Sequence, residues 1–124
     1  MIAVDSSTLI AYLSGDVGAD LEALDTGLLA GEAALPPVVL TEMLCEPTLS
    51  DAHRNLLLNL PRLELLPDYW VRAAALRSTI IAHRLRARLA DTLIAQSCLD
   101  HDVALIARDR DFRHFVRYCG LKLA

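Results

Sequence analysis

The sequence lacks the features that mark several large classes of protein. No apolar run approaches the roughly 20 residues that a membrane-spanning helix needs, and no basic stretch precedes the first apolar residues, so we expect neither a membrane protein nor a secretory signal. The three cysteines lack Cys-x-x-Cys spacing, which favours reduced thiols in a cytoplasmic protein. With 124 residues, 54% hydrophobic and 23% charged, the chain has the composition of a single globular domain spanning residues 1–124.

Positive charge is missing from the first 50 residues, which contain eight acidic side chains and no Lys or Arg. Residues 51–124 contain the other eight acids and all twelve basic residues, so this part of the chain carries a net charge of +4. Eleven of the twelve are Arg, whose planar guanidinium suits bidentate contact with phosphate. This asymmetry fits an acidic metal site flanked by a phosphate-binding surface. An ordinary solvated surface is the alternative.

Short apolar runs that predict strands alternate with helical patterns along the chain. Strands are expected at 2–4, 33–35, 63–66, 103–107 and 121–123, the second, the third and the last being weak. Helical spacing of apolar residues predicts helices over 6–14, 19–29, 38–45, 51–60, 68–84, 92–99 and 112–115. This order predicts an α/β domain with a mostly parallel central sheet of four to five short strands and helices on both faces.

Four acidic residues occupy positions where an apolar core would not place a carboxylate. Asp5 and Asp109 follow predicted buried strands, at the strand ends where α/β sheets bind ligands. Glu42 and Asp91 lie within apolar helical patterns, with Glu42 on or beside a buried face. Carboxylates that share a site cannot all ionise without a counter-charge. Mg²⁺ or Mn²⁺ supplies that charge through oxygen ligands and activates water for attack on a phosphodiester.

Each of these carboxylates also has a purely structural interpretation. Asp5 and Asp91 could cap the N-termini of the helices that follow them. Glu42 could be paired with an Arg from the second half of the chain. Asp109 and Asp111 could be turn residues beside neighbouring arginines, with Asp111 the better candidate for a helix cap. Capping does not exclude metal binding, so both interpretations stay open for these residues.

Three segments carry a resemblance to a known family: VDSSTLIAYL at 4–13, LPPVVLTEMLCEP at 35–47 and LADTLIAQSCLDHDVALIARDRDF at 89–112. In this order they resemble PIN domains of the VapC toxin type, and the likeness extends over nearly the whole chain. The resemblance implies a PIN-like three-layer sandwich and a Mg²⁺- or Mn²⁺-dependent endoribonuclease toxin of a toxin–antitoxin system. It further implies a homodimer that is inhibited by a cognate antitoxin.

The same resemblance assigns roles to individual residues. It implies a catalytic, metal-binding quartet that comprises Asp5, Glu42, Asp91 and Asp109. Ser7 matches a small polar position that follows the first acid, and Asp111 lies near the site. The family often has Thr or Ser two residues before the fourth acid, whereas this chain has Ala107 and so lacks a hydroxyl that could support a ligand.

The stretch before Asp91 departs from the family pattern. Relatives commonly have a Gly-containing turn where residues 83–89 read HRLRARL. We predict contacts with the RNA backbone for the arginines of this stretch and for those beside Asp109, namely Arg84, Arg86, Arg88, Arg108 and Arg110. A solvated helix end is the alternative for this stretch. For the whole chain the alternative is a catalytically inactive PIN fold that binds protein or RNA partners, although four intact acids argue against it.

Overall fold

The computed structural model describes all 124 residues and places a parallel sheet at the centre of the molecule. Its strands are β1 (Ile2–Val4), β2 (Ala33–Ala34) and β3 (Ala104–Ile106), in the spatial order β2-β1-β3. Ile2 of β1 is in register with Ala33 on one side and Ala104 on the other. Since all three strands run in parallel, their carboxyl ends lie at the same edge of the sheet.

The sheet has three strands, so the prediction of four to five is wrong. Pairing beyond β2 stops at one bridge between Leu35 and Arg62, and residues 63–66 form no strand. The C-terminal segment likewise pairs through one bridge, between Leu105 and Leu123. Prolines flank the first of these segments, and because proline donates no ladder hydrogen bond they limit its pairing.

Seven α-helices accompany the sheet, as the alternating pattern predicts. They are α1 (Ser6–Leu13), α2 (Ala19–Leu29), α3 (Pro37–Leu44), α4 (Asp51–Asn59), α5 (Tyr69–Ala82), α6 (Leu89–His101) and α7 (Arg113–Cys119). A 3₁₀ turn (Arg110–Phe112) leads into α7. Asp5 caps α1 by accepting a hydrogen bond from the Ser7 amide, in line with its structural interpretation. Asp91 is not a cap, because α6 begins two residues before it.

The hydrophobic core joins the sheet to the inward faces of the helices. Phe112, Phe115 and Leu9 are among its largest fully buried side chains. Helix α5 packs against α6 and α7, while α1 packs against α2 and α3. All three cysteines are free thiols. None of the helices combines the length and apolar character that crossing a membrane requires.

Candidate metal centre

Four aspartates gather at the carboxyl edge of the sheet. Asp5 directly follows β1, and its amide donates to the carbonyl of Ile106 at 2.9 Å, which ties the ends of β1 and β3 together. Asp109 lies just beyond β3, Asp111 lies in the 3₁₀ turn, and Asp91 lies in the first turn of α6. Carboxylate oxygens of Asp91, Asp109 and Asp111 are all within 4.8 Å of one another.

The electrostatics of this cluster are least favourable at Asp91, which is buried with 9% of its surface exposed. Burial is the largest cause of its raised pKa, which moves from 3.8 to about 6. The neighbouring negative charges raise the pKa further, in the decreasing order Asp109, Asp5, Asp111, while Arg88 lowers it. The Oδ2 atom of Asp91 is buried and has no hydrogen-bond partner. An ionised oxygen in that state is costly unless a cation binds it.

Ser7 connects Asp5 to the loop that follows β3. Its hydroxyl donates to Oδ2 of Asp5 at 2.6 Å, and it accepts hydrogen bonds from the amides of Arg108 at 3.2 Å and Asp109 at 3.3 Å. Burial raises the pKa of Asp5, and the hydrogen bonds from Ser7 partly offset that rise. One hydroxyl therefore connects two of the aspartate-bearing segments.

Glu42 is not part of the group formed by the three converging aspartates, and its side chain is exposed beside the buried face of α3. Helix α3 buries Val39 and Met43, one turn apart, and leaves Glu42 exposed. Oε1 of Glu42 accepts a hydrogen bond from the Ser6 hydroxyl at 2.7 Å, so it lies beside the neighbour of Asp5 in the chain. Ser6 was missed by sequence reasoning, and only its position next to Asp5 could have indicated it.

Asp109 and Asp111 belong to the carboxylate cluster and are also hydrogen-bonded to each other. Oδ1 of Asp109 accepts a hydrogen bond from the Asp111 amide at 2.9 Å and so caps the 3₁₀ turn, a role that the sequence assigned to Asp111. Oδ2 of Asp111 lies 3.5 Å from Nε of Arg88. Asp111, predicted only as a supporting residue, thus belongs to the converging group from which Glu42 is absent.

The arginines predicted to contact RNA divide into two groups. Arg88 lies at the edge of the aspartate cluster through its contact with Asp111. The side chains of three others are exposed to solvent: Arg84, Arg86 and Arg110. The guanidinium of Arg108 differs, because it donates hydrogen bonds to Asp20 and to the carbonyl of Val17. This engagement within the chain counts against an RNA contact by Arg108.

The donor set of the cluster suits a hard divalent cation. Its convergent ligand atoms are all carboxylate oxygens, which Mg²⁺ and Mn²⁺ prefer, and it includes no Cys or His of the kind that structural zinc sites use. The unpaired Oδ2 of Asp91 provides a ligand atom that the protein itself does not satisfy. The residues present therefore fit a site for such an ion.

Comparison with known proteins identifies a family and a fold. Residues 2–118 match the PIN domain family. One similar chain comes from the crystal structure of VapBC2 from Rickettsia felis bound to a DNA fragment from its promoter. It has a TM-score of 0.72 and 17% sequence identity, and the match covers 100% of this chain and 98% of the other. A chain of VapBC-5 from Mycobacterium tuberculosis, a member of the VapBC family of toxin–antitoxin systems, has a TM-score of 0.67 and 20% sequence identity. That match covers 98% of this chain and 95% of the other. A comparison with curated proteins finds no match.

Proposed function

This chain belongs to the PIN domain family, and from that premise we propose that it is a metal-dependent endoribonuclease acting as the toxin of a toxin–antitoxin system. The family match over residues 2–118 agrees with the resemblance visible in the sequence. The observation that carries metal dependence is the buried, unpartnered Oδ2 of Asp91 beside two further aspartates. The toxin assignment draws support from the two structurally similar chains, which come from VapBC systems.

In the proposed site, four aspartates hold Mg²⁺ or Mn²⁺: Asp5, Asp91, Asp109 and Asp111. A divalent ion bound there supplies Lewis-acid activation of the phosphodiester and of the attacking water. Asp91 must lose its proton to act as a ligand, and Ser7 keeps Asp5 oriented by donating its hydroxyl hydrogen. Glu42, exposed and bound by Ser6, acts at the rim of the site through solvent and not as a direct ligand.

The proposed substrate is RNA, held through its phosphates. Arg88 is within reach of both the metal ligands and solvent, because its side chain is 54% exposed and lies 3.5 Å from Asp111. Arg84, Arg86 and Arg110 extend the positive surface around it. Contacts of this kind position RNA without reading its sequence, and they weaken as salt concentration rises.

We further propose that the cognate antitoxin occupies a cleft between α1, α3 and α4. The cleft has a volume of about 480 Å³ and combines the acids Glu42 and Glu46 with apolar side chains such as Ile10 and Leu13. No Lys or Arg occurs in the first 50 residues to offset these acids, so charge complementarity favours a basic, partly apolar antitoxin segment. Ile10→Glu at this exposed position should weaken inhibition by the antitoxin, whereas Leu29→Glu, at a position that is also exposed but lies outside the cleft, should not.

We also propose a homodimer, for which the exposed apolar side chains of α5 and α6 offer a surface. Trp70, Val71, Ile81 and Leu89 are 64%, 71%, 51% and 60% exposed. Trp70, Ile81 and Leu89 line a groove of about 370 Å³ between these helices. Exposed apolar surface of this kind is typical of contact sites. Sedimentation velocity should show a dimer that Trp70→Lys converts to a monomer.

The function is tested with the purified chain, freed of any antitoxin, on a mixed RNA substrate. Cleavage should require Mg²⁺ or Mn²⁺, stop in EDTA and disappear in Asp91→Asn. Glu32→Gln, which removes an exposed charge away from the aspartate cluster, should cleave normally. Full activity of Asp5→Asn at saturating metal would contradict the assignment of the site. A binding module without activity would show no rise in melting temperature as Mn²⁺ is added, whereas a metal enzyme should.

A further inference from the structure

The guanidinium of Arg108 is held within the chain by several contacts. Its Nε and Nη2 donate to the two carboxylate oxygens of Asp20 at 2.6 and 3.2 Å, and Nη2 also donates to the carbonyl of Val17 at 2.8 Å. Oδ2 of Asp16 lies 3.9 Å from Nη1. These partners lie between α1 and the first turn of α2, and Asp20 is 88 residues from Arg108 in sequence.

The backbone at Gly18 leaves the space that this contact needs. A Cβ atom at Gly18 would lie 2.6 Å from Oδ1 of Asp20 and 2.8 Å from Nη2 of Arg108. Gly18 also has φ of +154°, a conformation that residues with side chains rarely adopt. The guanidinium therefore fits against this loop only because the residue beneath it has no side chain.

Arg108 is also the neighbour of a candidate metal ligand. Its own amide and that of Asp109 both donate to the Ser7 hydroxyl, so the backbone is held on one side by Ser7. The Arg108 side chain holds the same segment on the other side through Asp20. Asp109 directly follows Arg108 in the chain, and its carboxylate in turn caps the turn that carries Asp111.

We propose that Arg108 is a positioning residue whose ion pair with Asp20 anchors the loop carrying Asp109 and Asp111 and so sets the spacing of the metal-binding carboxylates. The anchoring follows from the contacts, and its effect on metal binding rests on the proposed function. Without a cation the clustered carboxylates repel one another, and the anchor opposes the resulting outward movement of the loop. Three of the five N–H groups of Arg108 are used within the protein, which leaves little capacity for phosphate.

The Arg108–Asp20 ion pair should affect the loop more than it affects the free energy of unfolding. The ion pair is partly exposed, with 34% of the Arg108 side chain and 24% of the Asp20 side chain accessible. Pairs of this kind contribute little to global stability. Loss of the anchor should therefore change the geometry of the loop and its metal affinity while leaving the unfolding midpoint nearly unchanged.

The first test measures amide hydrogen exchange of residues 107–111 in metal-free protein. Arg108→Gln and Asp20→Asn should each speed exchange in this segment, and the double variant should match the single ones because both remove the same contact. Asp25→Asn is the matched control, since Asp25 also lies on α2 but is bound to Tyr12. Unchanged exchange at 107–111 in Asp20→Asn would overturn the proposal.

The second test measures Mn²⁺ affinity by calorimetry and RNA cleavage at varied Mn²⁺. Both single variants should bind Mn²⁺ about 10- to 100-fold more weakly, the range typical of lost ligand support, and Arg108→Lys should be intermediate because it keeps the charge but not the fork. Raising Mn²⁺ should restore kcat with KM for RNA unchanged. A raised KM in Arg108→Gln together with normal Mn²⁺ affinity in Asp20→Asn would assign Arg108 to RNA and overturn the proposal. If the wild-type chain binds no Mn²⁺, the proposed function fails, and hydrogen exchange alone then decides on the anchor.

Discussion

Asp91 is expected to destabilise the metal-free protein, so that removing its charge should make the fold more stable while abolishing activity. Its pKa of about 6 in the folded state compares with 3.8 for the ordinary group. At neutral pH that difference corresponds to about 3 kcal/mol of unfavourable free energy, as an upper bound, because solvent at the open edge of the site screens part of it. Asp91→Asn keeps the size of the side chain and lets its amide donate to the neighbouring carboxylates. We expect a gain of about 1–3 kcal/mol in the free energy of unfolding.

The sign of the pH dependence follows from the raised pKa. Between about pH 4 and pH 6 the folded state binds the Asp91 proton more tightly than the unfolded state does. The contribution of Asp91 to stability is therefore most favourable below this window and is lost as pH rises through it. Asp91→Asn has no such proton, so the difference in stability between variant and wild type should be near zero at about pH 4 and reach its full value above about pH 6.

Urea unfolding in EDTA, followed by circular dichroism at several pH values, measures this difference. Saturating Mn²⁺ should reverse the order of stabilities, because a ligand at 1,000 times its Kd adds about 4.1 kcal/mol to a protein that binds it. Asp91→Asn should gain almost nothing from Mn²⁺. The reasoning is refuted if Asp91→Asn is the less stable protein in EDTA at neutral pH, or if its advantage persists undiminished at acid pH.

Three further predictions concern the same site. Mn²⁺ affinity measured by calorimetry should fall as pH drops below about 6, by up to about tenfold for each unit, since the ion must displace the Asp91 proton. Constant affinity down to pH 5 would contradict this. Ser7→Ala should lower the free energy of unfolding by about 1–3 kcal/mol in urea titrations, because it leaves Asp5 and two amides short of a partner. Glu42→Gln should change Mn²⁺ affinity less than about threefold, and a loss as large as that of Asp91→Asn would show that it is a direct ligand.

The parts of the fold that could be predicted are those that local sequence determines. An apolar run ending in Asp5, followed by hydroxyl residues and a helical pattern, indicates both β1 and the start of α1. Pro37 at the first position of α3 and Ser50 as the cap of α4 follow from equally local rules. The predicted start of α6 was three residues late, because Arg88 supplies no side-chain cap to mark where the helix begins.

The parts that could not be predicted depend on which faces meet in three dimensions. Helix α3 is apolar almost all round, so periodicity could not show that Val39 and Met43 face the core while Glu42 faces solvent. The partnership of Arg108 with Asp20 was equally hidden, since eleven arginines and sixteen acids allow many pairings. Only the packing of α2 beside the end of β3 selects this one.

The central position of β1 has a consequence for the order in which the protein acquires its activity. Ile2 pairs with Ala33 and with Ala104, so the second pairing closes a loop of about a hundred residues. During synthesis Asp5 emerges first, yet the other aspartates of the cluster belong to the final third of the chain. The ribosome must therefore extend the chain as far as Asp111 before the proposed metal site can form. For the proposed toxin, this topology means that cleavage can begin only after most of the chain has been synthesised.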